Sequence, residues 1–442
     1  MHDLLSPDLP LPLHHAAPAR RRLYHHHLKK CGGTSLNTWL DTLAPDDRTF
    51  QDSWIATLRA DRRPGETSAQ QGARHAARAR ALFHWADIVR THEPLHRHAP
   101  AGTLRFTILR DPIARLISQV MDWRRLRPEH LVAEPLRMRA LIADAQALPL
   151  RAFLERHGEG NHLLDNYLTR SLAAARVPLV MHTTAHPAHL LDAALGSLAQ
   201  DFDLVGTTEH LTQARRALCA RLGLPPASAM PALNTAPLAP AEGEVAAAAR
   251  ILAGLTRWDA VLHARARDLF AAHHHPLAET YDHAAFESRH AAQALAELRG
   301  DHHDGATRYS VRAPLIAAGL HGRDSPGTPA CAVWSGPAPR ATLYIPAIAH
   351  ADLCLLVWIR GYAAPRQRAQ LRARVDGQPA PHHFEPEAGY ADRLAIRARP
   401  ARDFVRLDLD LDETLASPEP ASEGGDPRPR GLCLASYGWR PA

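Results

Sequence analysis

Apolar positions along the chain follow two rhythms. From residue 23 to about 298, short apolar runs alternate with longer stretches whose apolar residues recur at helical spacing. Residues 23–28, 86–90, 104–109, 177–181 and 203–206 read as strands. Helices are expected from Ser35 onward, over 113–123 with Ile113, Leu116, Ile117 and Val120 on one face, across 136–175, and over 211–222. Strands alternating with helices predict an α/β domain over 23–300, its parallel sheet flanked by helices. After the polar stretch 299–306 the helical period fades and short strands alternate with turns. Val405, Leu407, Leu409 and Leu411 face one way, while Arg406, Asp408, Asp410 and Asp412 face the other. Leu371, Ala373 and Val375 alternate in the same way and run into the turn signal Asp376-Gly377. Residues 307–442 therefore read as an all-β sandwich domain, with 413–430 as a long surface loop and 1–22 as a tail.

Composition narrows the chemistry only a little. A length of 442 residues suits two domains, and 45% apolar with 22% charged residues is ordinary for a globular protein. The net charge of +6 suits an anionic ligand. The arginines are dispersed and not interleaved with aromatics, which argues against nucleic acid. No apolar run reaches roughly 18 residues, so no membrane span is expected. The first thirty residues do not form a signal-peptide core, and the chain reads as cytoplasmic. Cys31, Cys219, Cys331, Cys354 and Cys433 are scattered without ligand spacing, so reduced thiols are expected rather than disulfides or a metal site. The histidine runs 25–27 and 273–275 read as surface or helix residues.

Two segments carry chemistry. Lys30-Cys31-Gly32-Gly33-Thr34-Ser35 lies between a predicted strand and helix, where glycines and a helix N-terminus can cradle an anion. It lacks the Walker A order, because its lysine precedes the glycines. Of 52 basic residues only Lys29 and Lys30 are lysine, and both sit at this loop. Lysine is a compact point charge that Arg's planar fork replaces poorly, so Lys30 reads as functional, with Lys29 the weaker candidate. The second segment is Arg105-Phe106-Thr107-Ile108-Leu109-Arg110-Asp111-Pro112, continuing to Ser118. A strand delivers Arg110 to the sheet's carboxyl edge, Pro112 opens a helix, and Ser118 returns to the same side two turns later. Arg110 and Ser118 can together hold a phosphate monoester. An Arg–Asp pair that merely caps a helix is the plainer alternative.

These two segments resemble the cofactor motifs of sulfotransferases that use 3′-phosphoadenosine 5′-phosphosulfate (PAPS). They are most similar to the carbohydrate sulfotransferases, whose loop commonly reads Lys-Thr-Gly-Gly-Thr-Ser. Residues 163–170, with Asp165-Asn166-Tyr167, and 202–209, ending Gly206-Thr207-Thr208-Glu209, are also similar to that group. The resemblance covers roughly residues 23–275 and departs from the pattern at Cys31. It implies a P-loop-like sulfotransferase fold. Lys30, Gly32, Gly33, Thr34 and Ser35 would hold the 5′-phosphosulfate, and Arg110 and Ser118 the 3′-phosphate. His92 resembles the family's catalytic base, with His84 as the rival and Glu93 able to orient or replace it. The implied reaction is in-line sulfuryl transfer to a carbohydrate or glycoconjugate hydroxyl, without a metal. Arg124, Arg125 and Arg127 hint at an acidic acceptor. The β domain resembles modules appended to bacterial glycan-processing enzymes, with Trp334 and Trp358 as candidate stacking residues. The competing readings are a non-catalytic glycan-binding relative and a nucleotide-dependent kinase or NTPase.

Overall fold

The computed structural model describes residues 22–45, 48–50, 67–132, 134–177, 184–226, 240–416 and 428–442. The expected tail, most of the strand expected at 177–181 and much of the loop expected at 413–430 lie outside them. The described residues form a mixed α/β structure of two compact units. One comprises residues 1–33, 50–211 and 234–274, and the other 34–49, 212–233 and 275–442. The division is thus not a single break near residue 300. Residues 275–296 are helical yet belong with the antiparallel sheets, where Phe286 packs edge-on against Tyr344 with ring centroids 4.8 Å apart.

The first unit holds β1 (Arg22–His26), β3 (Ile88–Thr91), β4 (Thr103–Leu109) and β5 (Leu204–Thr207). With the short β2 (Thr49–Phe50) at the edge, the order is β2-β3-β1-β4-β5, and the β1–β3, β1–β4 and β4–β5 pairings are all parallel. Between the strands run α2 (Ser68–Trp85), α3 (Pro112–Arg124) and, among the described residues, four further α-helices; α1 (Gly33–Leu40) follows β1. Parallel strands covered on both faces must bury alternate side chains in both directions, and β1 does so even with histidine. His25 and His26 are buried, and His25 stacks on Phe106 at 4.4 Å. The histidine run expected at the surface is therefore the sheet's central strand. In α3, Asp111 caps the N-terminus by accepting Ala114 N–H at 2.8 Å, and Pro112 occupies the first turn. The buried face of α3 is Arg115, Leu116, Gln119, Val120 and Trp123, whereas Ile113 is exposed. The expected apolar stripe is thus rotated, because two polar side chains take core positions.

The second unit contains two antiparallel sheets. One has the order β15-β16-β12-β18-β10-β9, with β7 pairing β18 and β6; the other runs β14-β13-β17-β11-β8. In sequence these are β6 (Asp301–His303), β7 (Ala306–Ser310), β8 (Ala317–Ala318), β9 (Leu320–Asp324), β10 (Ala332–Ser335), β11 (Arg340–Pro346), β12 (Leu353–Tyr362), β13 (Arg372–Val375), β14 (Gln378–Ala380), β15 (His382–Glu385), β16 (Asp392–Ala398), β17 (Phe404–Asp410) and β18 (Leu432–Pro441). The β13–β14 hairpin turns at Asp376 and Gly377, with φ of +49° and +84°, the two left-handed residues that a two-residue hairpin requires. On β17 the expected alternation holds, but Asp408 and Asp410 are buried. Asp408 accepts from Thr342 Oγ1 at 2.7 Å and Asp410 from Arg340 Nε at 2.6 Å. All five cysteines are buried, and none forms a disulfide. Among the described residues no helix is long and apolar enough to cross a membrane.

Candidate functional site

Four parallel strands bring the candidate segments to one edge of the sheet. Lys29–Gly33 follow β1, His92 follows β3, Arg110 follows β4 and Thr208 follows β5. Neighbouring parallel strands end side by side, so residues distant in sequence meet beyond their carboxyl ends.

The loop after β1 turns through two left-handed residues, Lys30 (φ +64°) and Gly32 (φ +75°). Alternating left-handed residues gather successive backbone N–H groups into an anion-binding concavity. For a lysine this conformation costs roughly 1–2 kcal/mol, so the surrounding structure holds it there. Gly33 serves a different purpose. A Cβ at Gly33 would lie 1.6 Å from His27 Nε2, so glycine is needed for close approach. Thr34 and Ser35 continue into α1. Ser35 is buried, with its carbonyl accepting Thr38 Oγ1 at 2.9 Å, and the Thr34 side chain lies outside the described atoms.

Each segment singled out in the sequence is tied to this loop. Arg110 Nη1 donates to the Lys30 carbonyl at 3.2 Å. Asp111 N–H donates to Glu209 Oε1 at 3.0 Å, and Thr208 Cγ2 lies 3.2 Å from where a Gly32 Cβ would sit. Lys29 N–H donates to Tyr167 Oη at 3.0 Å. Tyr167 opens a helix that Asp259 secures by accepting the N–H groups of Leu168 and Thr169 and the Thr169 hydroxyl. Beneath the loop lies Arg115, only 1% exposed, its guanidinium 4.5 Å above the Tyr167 ring and donating to Leu163 O at 2.6 Å. Its Nη1 is buried without a hydrogen-bond partner among the described residues. A buried cation beside the loop, without an ion-pair partner among the described residues, adds positive potential where an anion would bind.

Lys30 Nζ lies 3.0 Å from Asp122 Oδ1, with side chains 20% and 27% exposed. Arg125 pairs with the same carboxylate. Burial pushes the Lys30 ammonium below its usual pKa, and Asp122 opposes that shift. Ser118 is half-buried on α3, one turn before Asp122 and on the same helix face. Burial also lifts the Cys31 thiol to about 12, so it stays protonated and is a poor nucleophile. For Glu209, burial would raise the pKa, but hydrogen bonds from His263 and Asp111 N–H outweigh it and hold the carboxyl well below the usual range.

His92 stands beside the loop. Its Nδ1 bonds the His27 carbonyl, and the two rings lie 4.4 Å apart. A carbonyl oxygen can only accept, so Nδ1 carries the proton and the neutral ring's lone pair is on Nε2. Tyr24 fixes the following turn by donating to the Glu93 carbonyl at 2.6 Å and accepting Leu95 N–H at 2.9 Å. His84 is placed elsewhere. It is exposed in the last turn of α2, before β3 begins, and therefore at the amino edge of the sheet. His92, by contrast, follows the carboxyl end of β3, on the side where the loop lies.

Of the three arginines expected to meet an acceptor, Arg124 is committed to Glu244 through two contacts of 2.6 and 3.0 Å. Arg125 is held by Asp122, and Arg127 is exposed. Trp358 is buried under Arg308, whose guanidinium lies 4.4 Å from the ring centroid; Trp334 is half-buried beneath Arg430 at 4.7 Å. Trp358 presents no open face for stacking. Residues whose roles the sequence did not disclose are Asp122, Arg115 and Tyr167. Arg115 and Tyr167 had a signal, because each lies in a segment already singled out. No protein-family model matches the chain, and no curated protein matches its sequence.

Proposed function

We propose that the chain is a PAPS-dependent sulfotransferase acting on a hydroxyl of a carbohydrate or glycoconjugate. The reading rests on one observation: the three other segments that resemble such enzymes meet the Lys29–Gly33 loop through Arg110, Tyr167 and the Gly32–Thr208 approach. The left-handed turn, the ammonium of Lys30 and the buried cation Arg115 fit an anionic donor. Lys30 and the loop amides would hold its 5′-phosphosulfate, and Arg110 with Ser118 its 3′-phosphate. The donor supplies the sulfuryl group. His92 Nε2 takes the proton of the acceptor hydroxyl as the new O–S bond forms, while the Nδ1 proton keeps its hydrogen bond to the His27 carbonyl. Lys30 faces the charge that collects on the oxygen of the breaking S–O bond. The products are a sulfate ester, adenosine 3′,5′-bisphosphate and a proton. Buried cysteines outside any disulfide suit a reducing cytoplasm.

Titration calorimetry with adenosine 3′,5′-bisphosphate, against ATP and AMP, tests the reading. Binding that needs the 3′-phosphate and is lost in Arg110→Ala is expected. Equal binding of ATP would transfer the site to a nucleotide-dependent kinase or NTPase. Absence of nucleotide binding would leave the glycan-binding reading.

A further inference from the structure

One face of the eight-stranded sheet carries an unusual set of charges. Along β12, Cys354, Leu356 and Trp358 point to one side and pack with Ala306 and Ala395 in a small apolar cluster. Above this cluster lies Arg308 of β7. Its Nε donates to Ser436 Oγ at 2.7 Å, its Nη2 to Tyr390 Oη at 2.5 Å, and its guanidinium lies 5.4 Å from the Tyr390 centroid. Arg360, exposed at the end of β12, approaches the same ring at 5.8 Å and donates to the Pro329 carbonyl. Two guanidinium groups thus meet at one tyrosine, and among the described residues neither has a carboxylate within ion-pair distance.

Like charges held together without a counterion repel, and the usual remedy is a neighbouring carboxylate. The carboxylates nearby are otherwise engaged. Glu385 is taken by Arg393 and Arg440, and Glu387 by Arg393. Asp301 stands opposite Arg308 in the β6–β7 register yet forms no ion pair with it.

We infer that this face binds an acidic oligosaccharide, with Arg308 and Arg360 gripping a carboxylate or sulfate ester on the sugar chain. Guanidinium forks pair bidentately with such oxyanions, and the Tyr390 and Ser436 hydroxyls suit the sugar's own hydroxyl groups. The arrangement disfavours nucleic acid. Base recognition on single strands needs open aromatic faces, and here guanidinium groups cover the rings of Trp358 and Tyr390. It also disfavours an acidic peptide, since Leu356 and Trp358 are buried and offer no apolar surface to peptide side chains. The inference does not depend on the catalytic reading.

The test is titration calorimetry of the full chain with oligomers of polyguluronate and of dextran sulfate, against neutral dextran and single-stranded DNA. Both acidic sugars should bind and dextran should not. The Arg360→Glu variant, altered at an exposed position, should bind at least tenfold more weakly with an unchanged melting temperature. Arg308→Gln should weaken binding similarly. Adenosine 3′,5′-bisphosphate titrated into the same variants reads the other site and should be unaffected. Unchanged sugar affinity in Arg360→Glu, no binding of either acidic sugar, or equally tight DNA binding each overturns the inference.

Discussion

Asp122→Asn separates the two things a carboxylate beside Lys30 could do. In the structure Asp122 Oδ1 lies 3.0 Å from Lys30 Nζ and shares its charge with Arg125. On the proposed reading an anionic donor must come to Lys30, bringing its charge to within about 5–6 Å of this carboxylate. At an effective dielectric near 20 the repulsion would be about 3 kcal/mol per charge pair. The pair is about a quarter exposed, and solvent screening brings such interactions toward the roughly 0.2–1 kcal/mol measured for surface pairs. A value of about 1 kcal/mol is therefore expected, or roughly fivefold tighter nucleotide binding once the charge is gone. Asparagine keeps an oxygen that can accept from Lys30, so the side chain need not move. The assay is calorimetric titration of adenosine 3′,5′-bisphosphate into wild type and variant at low and high salt. The gain should be present at low salt and shrink at high salt. The pH dependence has a definite sign. Burial already lowers the Lys30 pKa and Asp122 raises it, so losing Asp122 lowers it further. The ammonium, and with it nucleotide binding, should then be lost at a lower pH in the variant as pH rises. Weaker or unchanged binding in a folded Asp122→Asn protein would refute the reasoning and make Asp122 the residue that positions Lys30.

Further outcomes follow from the same geometry. His92→Ala should lower turnover by about a hundredfold or more while nucleotide affinity holds, and His84→Ala should change neither, as steady-state kinetics beside calorimetry will show. Gly33→Ala forces a Cβ into the His27 ring and should cost about 1–3 kcal/mol in denaturant unfolding, along with nucleotide affinity. Gly72→Ala, on α2 with nothing within 4 Å, should instead stabilise by about 0.5–1 kcal/mol. Glu244 has its carboxyl pKa drawn down to about 2 by Arg124, aided by the Leu150 and Ala241 N–H groups. Because the folded pKa lies below the unfolded value of about 4.3, its contribution is full above that value and fades as pH falls toward 2. Glu244→Gln should therefore cost about 1–3 kcal/mol in urea melts at pH 6 and progressively less as the pH is lowered below 4.

What the chain determined by itself is what can be written within a few residues. Hydrophobic period placed β1, β4, β17 and the helix over 211–222, because burial on one or both faces imposes a spacing that neighbours alone display. Backbone conformation placed the Asp376-Gly377 hairpin and the Gly32 turn, since only certain residues tolerate positive φ. The Lys30 loop and the Arg110 strand end were legible for the same reason, being local chemistry on predictable elements. Tertiary structure decided the rest. His92 was separated from His84 only by which edge of the sheet each reaches, and its tautomer depends on the carbonyl of His27 in another segment. The rotated face of α3 follows from Arg115 finding Tyr167, and Lys30's partner from Asp122 coming to meet it. Trp358 looked like a stacking platform until β7 laid Arg308 across it. Helices at 275–296 joined the antiparallel sheets because Phe286 found Tyr344 there. Each of these depends on strand order and register between segments tens to hundreds of residues apart, which no local pattern of side chains encodes.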